Sequence, residues 1–242
     1  MERDAKGLAI VIRSIPVRDY DRLLTLFSPS LGLMNVVSYG ARKSVRSVKA
    51  PLYTEGNFSL EKGRRGWSLK DIDVISTHEG LHYDLDISQS AMLFSDLILV
   101  SRTAEPELYS LYVSALDALE SHPYEKVVNA FVTCFLLQEG LSGDYISCPS
   151  CGKVFSKEEV LGFRPDMGVA VCPDCDTMSM TLILPPNARA YLRRIQEVGI
   201  EKAMDLTVSP EQEHRVFRYL LRTLLLSFPE KLRSIEHGIW KI

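Results

Sequence analysis

The sequence predicts an α+β protein in which a small N-terminal β-barrel is followed by an α-helical bundle that carries a cysteine-rich insert. Three observations support this prediction. Five short segments rich in β-branched and aromatic residues alternate with turn residues between positions 7 and 75. Apolar residues recur at helical spacing after His78, and four cysteines form two Cys-x-x-Cys pairs in the second half of the chain.

The five predicted strands are defined by the turns between them. They cover residues 7–17, 22–27, 33–39, 53–60 and 67–75. Polar residues at 19–21 and a Ser-Pro-Ser segment at 28–30 supply the first two turns, and Lys62-Gly-Arg-Arg-Gly66 supplies the last. Five strands with closely spaced turns favour a small closed barrel, and the five-stranded OB-fold suits this pattern.

The helices are predicted from apolar residues at i, i+3, i+4 and i+7. Three helices are expected first, over residues 90–102, 107–119 and 126–138. Beyond the cysteines the same period predicts helices over residues 187–198, 201–206, 210–227 and 229–237. Ser209-Pro210-Glu211 is a strong start signal, because a capping serine precedes a proline and an acid in the first turn.

The two cysteine pairs, Cys148-Pro-Ser-Cys151 and Cys172-Pro-Asp-Cys175, have the spacing of a structural zinc site. Each pair can present two thiolates to one ion, and two such pairs supply the four ligands of tetrahedral Zn²⁺. Two disulfides or four free thiols are the alternative, which a reducing cytosol disfavours. Four protein ligands leave no open position, so the zinc is expected to hold the fold. Cys134, in an apolar stretch, is predicted to be a core thiol.

The net charge of −3 hides an uneven distribution. Residues 1–70 hold 13 lysines and arginines against 6 acids, a net charge of +7, and the remaining 172 residues hold 15 basic and 25 acidic residues, a net charge of −10. A basic module beside an acidic remainder is typical of a protein in which one part meets a polyanion. A solvated basic face without a partner is the alternative, but the clustering of the basic residues favours nucleic acid.

Catalytic motifs are missing from the sequence. It contains no phosphate-binding loop, nucleophile elbow, dinucleotide fingerprint or His-Glu-x-x-His motif. The five histidines are dispersed, and the acid pairs Asp71/Asp73 and Asp84/Asp86 are expected on exposed strand or loop. We therefore expect a binding protein rather than an enzyme.

Membrane and export signals are missing as well. No apolar run reaches the roughly 18 residues that a membrane span requires. The first residues, Met1-Glu-Arg-Asp4, lack the basic-then-apolar character of a signal peptide. We therefore expect a cytoplasmic protein with no membrane partner.

Several segments, taken in order, resemble the bacterial RecO recombination and DNA-repair proteins. The matching segments are residues 7–13, 21–27, 32–33, 40–43 and 51–67, the last with its Gly-Arg-Arg-Gly turn. The cysteine pairs after a helical run and residues 228–234 near the end fit the same family. The resemblance covers the whole chain, and the barrel segment and the cysteine pairs are its specific parts.

The resemblance implies a recombination mediator. Such a protein binds single- and double-stranded DNA, anneals complementary strands and, with RecR, helps RecA to replace single-strand binding protein (SSB) on coated DNA. DNA, RecR and the C-terminal tail of SSB are therefore the expected partners, RecA is an indirect one, and the protein is expected near the nucleoid. A generic single-stranded nucleic-acid-binding protein, or a sequence-specific regulator with a structural zinc, is the alternative.

Annealing requires no covalent step, but it requires cations that neutralise phosphates and surfaces that handle unpaired bases. The residues predicted to contact DNA phosphates are Arg13, Arg22, Arg42, Lys43, Arg46, Lys49, Arg64 and Arg65. Tyr39, Phe58 and Trp67 are candidate stacking residues, although each also suits the barrel core or its surface.

A second basic stripe is predicted on the 211–227 helix. It consists of Arg215, Arg218 and Arg222, which recur at helical spacing beside Phe217, Leu221 and Leu225. An acidic peptide with an aromatic end, such as the SSB tail, would suit a basic rim around an apolar groove. The alternative is that these arginines pair with nearby acids on a solvated face.

The chain is thus predicted to have four segments. Residues 1–78 form an OB-fold nucleic-acid-binding domain, and residues 79–145 form the first part of a helical domain. Residues 146–182 form a zinc ribbon or knuckle, and residues 183–242 complete the helical domain.

Overall fold

The structure, a computed structural model, describes residues 4–43, 48–101, 105–176, 184–228 and 232–240. The chain divides into two compact units, the first comprising residues 1–83 and 101–110 and the second residues 84–100 and 111–242. A closed five-stranded barrel lies in the first unit, and helices with a four-cysteine cluster lie in the second. The predicted α+β fold class is confirmed, and the finer four-segment division stays a prediction.

The barrel is built from five strands that follow one another along the chain. They are β1 (Asp4–Val17), β2 (Asp21–Ser28), β3 (Gly32–Ser38), β4 (Glu55–Gly63) and β5 (Gly66–Ser76). Their order around the barrel is β1-β2-β3-β5-β4, and β4 returns to pair with β1. The pairing of β3 with β5 is parallel, with Val36 opposite Trp67, and the other pairings are antiparallel.

Alternation along the strands separates an inner from an outer surface. On β2, the buried residues Leu24 and Leu26 join Phe58 in the barrel core, and Thr25 between them points outward. A bulge after Val11 shifts the alternation of β1, so that Arg13 lies opposite Thr25. The bulge therefore places a cation on the outer surface of the barrel.

The second unit is organised around one buried helix. The helices of the chain are α1 (Leu85–Val100), α2 (Pro106–Leu119), α3 (Tyr124–Gln138), α4 (Pro186–Ala203), α5 (Pro210–Ser227) and α6 (Arg233–Glu236). Every residue of α3 from Val127 to Leu136 is buried, and α3 packs against α1, α4 and α5. None of the helices in the described part of the chain is long and apolar enough to cross a membrane.

Some helix boundaries differ from those predicted. Helix α1 begins at Leu85 rather than at residue 90, because the Asp84 carboxylate accepts hydrogen bonds from the N–H groups of Asp86 and Ile87 at 2.9 and 3.0 Å and caps the helix. The two helices predicted over 187–198 and 201–206 both lie within α4, which is interrupted at Gly199 by the non-helical angles φ 74° and ψ 177°, so the predicted break between them is present. Residues 229–231 of the last predicted helix lie outside the described residues.

The close approach of β4 and β5 gives a test of the barrel. A methyl group added at Gly56 would lie 2.4 Å from the carbonyl oxygen of Asp73, a backbone atom that cannot rotate away. We expect Gly56→Ala to destabilise the barrel by about 1–3 kcal/mol. Denaturant unfolding followed by the fluorescence of Trp67 measures this, in a Trp240→Phe background because the chain has two tryptophans.

Gly63→Ala is the matched control for this substitution. The nearest atom to a methyl group at Gly63 is 3.8 Å away, an ordinary contact. This variant should unfold within about 0.5 kcal/mol of the parent. Equal unfolding midpoints for the Gly56 and Gly63 variants would show that the β4–β5 approach does not constrain the barrel.

Candidate metal centre and nucleic-acid interface

Two turns bring the four paired cysteines into one cluster. The Sγ atoms of Cys148, Cys151, Cys172 and Cys175 all lie within 4.8 Å of one another, and those of Cys151 and Cys172 are 3.7 Å apart. Zn–S bonds of about 2.3 Å in a tetrahedron place neighbouring sulfurs about 3.8 Å apart. The cluster therefore fits a tetrahedral ion with four thiolate ligands.

Backbone hydrogen bonds shape both turns. In the first, the Gly152 N–H donates to the carbonyl of Cys148 at 2.8 Å, and Gly152 adopts a φ of 75° that favours glycine. In the second, the Cys175 N–H donates to the carbonyl of Cys172 at 3.0 Å. The hairpin of β6 (Gly162–Arg164) and β7 (Val169–Val171) joins the two turns and delivers Cys172 to the cluster.

The electrostatics of the cluster favour a thiolate at Cys148. Burial opposes the charged form, but backbone N–H groups, among them that of Cys172 at 3.4 Å from the sulfur, lower the pKa of Cys148 to about 6. The remaining cysteine behaves differently. Burial raises the pKa of Cys134 to about 11, and Cys134 lies in α3 as the core thiol that its apolar neighbours predict.

The cysteine-rich segment is anchored to the helices of its own unit. Buried Arg189 of α4 donates to the carbonyls of Ser156 and Lys157 at 2.7 and 3.1 Å. Tyr219 of α5 packs edge-on against Phe163 of β6, with ring centroids 5.9 Å apart. The burial of Arg189 could not be predicted from the sequence, because an arginine inside a helical pattern is usually a surface residue.

Seven of the eight residues predicted to contact DNA lie in the described part of the chain, and Arg46 lies outside it. Arg13 of β1 faces outward in a row with Thr25 of β2 and Asn35 of β3, whose side chains are hydrogen-bonded at 3.0 Å. This row crosses the β2–β3 face, which OB-folds use for oligonucleotides. Arg13 therefore lies at the edge of a surface that suits the binding of an oligonucleotide.

The loops that flank this face are basic. Arg64 and Arg65 are exposed in the β4–β5 turn, and Arg18 is exposed in the β1–β2 turn with a φ of 55°. These are the two loops that border the ligand face of an OB-fold. Arg18 was not among the residues predicted to contact DNA, because it is a single arginine next to an aspartate and does not belong to a cluster of basic residues. The strand topology alone shows that Arg18 belongs to this rim.

The long β3–β4 connection contributes three further cations. Arg42, Lys43 and Lys49 are exposed there, and the Lys43 ammonium lies 4.6 Å from the centroid of the Tyr20 ring in the β1–β2 turn. Of this cluster, Arg42 and Lys43 lie against Tyr20 in the β1–β2 turn, whereas Lys49 lines a cavity at the end of the barrel. Arg22 lines the same cavity, since it shares the inward orientation of Leu24.

The three candidate stacking residues have different environments. Tyr39 is 51% exposed, whereas Phe58 is 1% exposed and belongs to the barrel core. Trp67 is partly buried against the core, and the Lys62 ammonium lies 5.4 Å from its ring centroid. Only Tyr39 of the three presents an open aromatic face.

The arginine stripe on α5 also has a mixed environment. Arg215 and Arg218 are exposed, Arg222 is half-buried, and none of them forms an ion pair with the carboxylates that the structure describes. Phe217 and Leu221 are buried, so of the three apolar residues beside the stripe only Leu225 is exposed. The stripe is therefore basic without a deep apolar groove formed by these residues.

The fold and the cysteine cluster together define a class: an OB-barrel protein with a helical unit and a four-cysteine knuckle that can hold a metal ion. The chain belongs to the RecO family. The family model for the Recombination protein O N terminal matches residues 1–80, and the model for the Recombination protein O C terminal matches residues 83–236. The two matches follow one another along the chain and together include both the barrel and the cysteines.

Relatives named DNA repair protein RecO support the same assignment. The protein from Desulfitobacterium hafniense is 33% identical over 177 residues, covering 70% of this chain and 63% of that relative. This chain thus spans less than two thirds of that relative's length. The protein from Clostridium novyi is 25% identical over 240 residues, covering 96% and 92%, and that from Roseiflexus sp. is 29% identical over 239 residues, covering 94% and 83%.

Cobalt titration tests the four-thiolate cluster. We expect the reduced, metal-free protein to bind one Co²⁺ per chain, with the strong near-ultraviolet absorption of cobalt–thiolate bonds and the visible bands of a tetrahedral site. Cys172→Ala should weaken cobalt binding about tenfold or more and change the visible bands, because water must replace one thiolate ligand. Cys134→Ala, a buried cysteine outside the cluster, is the control and should bind cobalt like the parent. Parental affinity and parental bands in Cys172→Ala would contradict the assignment.

Proposed function

We propose that this chain is a DNA repair and recombination mediator. It binds single- and double-stranded DNA through its barrel and anneals complementary strands, and together with RecR it assists RecA loading on SSB-coated DNA. It acts by binding rather than by covalent catalysis. Membership of the RecO family and the names of the relatives support this role.

The unpaired positive charge of the barrel is the observation that carries the proposal. Among the described residues, Lys70 with Asp4 at 3.9 Å is the ion pair of the barrel, and both side chains are exposed. It involves one of the eleven described lysines and arginines of the barrel, whereas in the second unit four of the twelve described ones are paired, among them Lys153 with Glu159 and Arg194 with Glu197, each at 3.0 Å. Because few of the described barrel cations have a carboxylate partner, phosphates can bind most of them without displacing an ion pair.

The positions of these cations suggest a path for a single strand. The outer β2–β3 face carries short neutral side chains such as Thr25, Asn35 and Val37, and its flanking loops carry arginines. A strand laid across this face would place its bases over the neutral centre and its phosphates at the basic rim. Such an arrangement binds backbone without reading sequence, which suits annealing of any complementary pair.

We propose that zinc is the structural cofactor held by the four cysteines. A closed four-thiolate site gives the ion no open position, so its contribution is to the fold. The hairpin that delivers Cys172 also packs Phe163 on Tyr219, so the metal supports α5. The exposed side of α5, with Arg215, Arg218 and Arg222, is our candidate surface for the acidic SSB tail.

Metal removal tests the zinc proposal. Protein purified without added metal should contain one zinc per chain, and its release by a chelator should lower the temperature at which the second unit unfolds, because metal-binding energy is folding energy. Fluorescence of Trp240, measured in a Trp67→Phe background, follows that unit. Release of zinc without any change in unfolding would contradict a structural role.

Annealing of labelled complementary strands, naked and SSB-coated, tests the proposed function. We expect salt-sensitive acceleration without any nucleotide cofactor. In Arg64→Ala/Arg65→Ala, single-strand affinity should fall, and the slope of log affinity against log salt should flatten by about 0.7 for each lost phosphate contact. Fluorescence anisotropy at several salt concentrations measures both.

Arg193→Ala/Arg194→Ala is the matched control for charge. It also removes two exposed arginines, but both lie within 4 Å of Glu197 on α4. Its salt slope should equal that of the parent. An unchanged slope in the Arg64/Arg65 variant would remove the β4–β5 turn from the interface, and failure to anneal naked strands would refute the mediator role.

A further inference from the structure

A cavity of about 380 Å³ opens at one end of the barrel interior. Ser14 of β1, Arg22 of β2 and Ser38 of β3 line it, together with residues 49–52 of the β3–β4 connection. Arg22 lies opposite Ser38 and alternates with the outward-facing Leu23, so its side chain points toward the barrel interior. The cavity is therefore a surface separate from the outer β2–β3 face.

The chemistry of the cavity is divided between an apolar floor and a basic mouth. Leu24 and Ala50, 1% and 7% exposed, form the floor. Arg22 and Lys49 supply two positive charges, and the described lining residues include no aspartate or glutamate. An apolar recess with cations at its edge fits a ligand that is flat and uncharged at one end and anionic at the other.

The Arg22 guanidinium is held in place before any ligand arrives. Its Nε donates to the Ser14 hydroxyl at 2.7 Å and its Nη2 to the Ser14 carbonyl at 3.2 Å. No described carboxylate lies within ion-pair distance of it. A guanidinium fixed in this way loses little conformational entropy when it binds a phosphate, and its planar array of donors matches phosphate oxygens.

A histidine ring forms part of the wall. His82 lines the cavity and stacks on the buried ring of Tyr53, with centroids 5.6 Å apart and an interplanar angle of 25°. The Tyr53 carbonyl lies 2.8 Å from Nδ1 of His78, and both residues adopt positive φ, 66° and 44°. Positive φ is costly for such large side chains, and strain of this kind concentrates at ligand sites.

We propose that this cavity binds one unstacked nucleotide, with its base against the apolar floor and the His82 ring and its 5′-phosphate on Arg22 and Lys49. The volume lies within the range of about 300–1,000 Å³ for small-molecule sites. The proposal rests on the proposed DNA-binding function, because a strand on the barrel supplies such a nucleotide. A free nucleoside monophosphate offers the same chemistry.

The consequence for function is a preference for single strands. A base inside a duplex is stacked and paired, so it can enter the cavity only after it has been turned out of the helix at a cost of a few kcal/mol. An unpaired strand avoids most of that cost. The outer face and its basic loops would then bind both forms of DNA, and the cavity would distinguish them.

The test fills the cavity without changing its charge. Ala50→Phe places a ring where the base would lie, and Ala50→Leu is a smaller filling variant in case the first does not fold. Base stacking contributes about 1–3 kcal/mol per base, so we expect single-strand affinity to fall about tenfold while affinity for a duplex of equal length is unchanged. Trp67 fluorescence, measured in the Trp240→Phe background, confirms that the barrel of each variant is folded.

Two further arms separate this proposal from the proposed function. Arg64→Ala/Arg65→Ala should weaken binding of both DNA forms, because it removes phosphate contacts that both forms make. It leaves the cavity intact, so the preference for single strands should remain. Thymidine 5′-monophosphate, titrated by NMR, tests the cavity without DNA, and shifts that saturate in the parent and vanish in Ala50→Phe would support the site even if the protein bound no DNA. A loss of single-strand affinity without monophosphate binding would assign the site to nucleotides within a strand.

Two results would overturn the proposal. One is a folded Ala50→Phe or Ala50→Leu variant that keeps the parental ratio of single- to double-strand affinity and the parental response to the monophosphate. The other is an equal loss of affinity for single-stranded and duplex DNA in these variants, which would make the cavity residues part of the general phosphate interface.

Discussion

The pairing of β3 with β5 is the constraint on which the N-terminal unit depends. This parallel contact, with Val36 opposite Trp67, closes the sheet and removes its free edges. Closure gives every strand an inside and an outside, so that Arg13 points outward with Thr25 and Arg22 points inward with Leu24. Arg13 and Arg22 both lie within predicted strands, but the closed barrel places them on different surfaces. Arg13 lies on the outer face, and Arg22 lies at the end of the barrel.

In the second unit the metal-binding turns have a comparable role. The β6–β7 hairpin is short, with three residues in each strand, and such a ribbon is too small to be stable alone. Four convergent thiols and the Arg189 contacts to Ser156 and Lys157 compensate for its small core. The ribbon in turn packs on Tyr219, so the cysteine cluster also supports the position of α5.

The sequence was sufficient to predict elements that local signals define. Strand alternation, the Ser209 cap and the Cys-x-x-Cys spacing each act over a few residues, and the structure contains all three. It was not sufficient where the outcome depends on distant residues. The bulge after Val11, the burial of Arg189 and the stacking of His82 on Tyr53 arise from tertiary contacts that no local pattern encodes. The cavity could not be predicted from the sequence for the same reason, because residues distant in the chain line it.

The opposite charges of the two parts of the chain also restrict where a polyanion can bind. The second unit, residues 84–100 and 111–242, carries a net charge of −6 against +3 for the first, and a negative field of this kind disfavours phosphates on most of the helical unit. This difference agrees with the proposal that DNA binds on the barrel, where few of the described cations have a carboxylate partner. Arg215 and Arg218 are a local exception within an acidic unit, and a short acidic peptide meets fewer of the surrounding carboxylates than a long DNA strand does. The same electrostatics are thus consistent with both proposals, DNA on one unit and an acidic protein segment on the other.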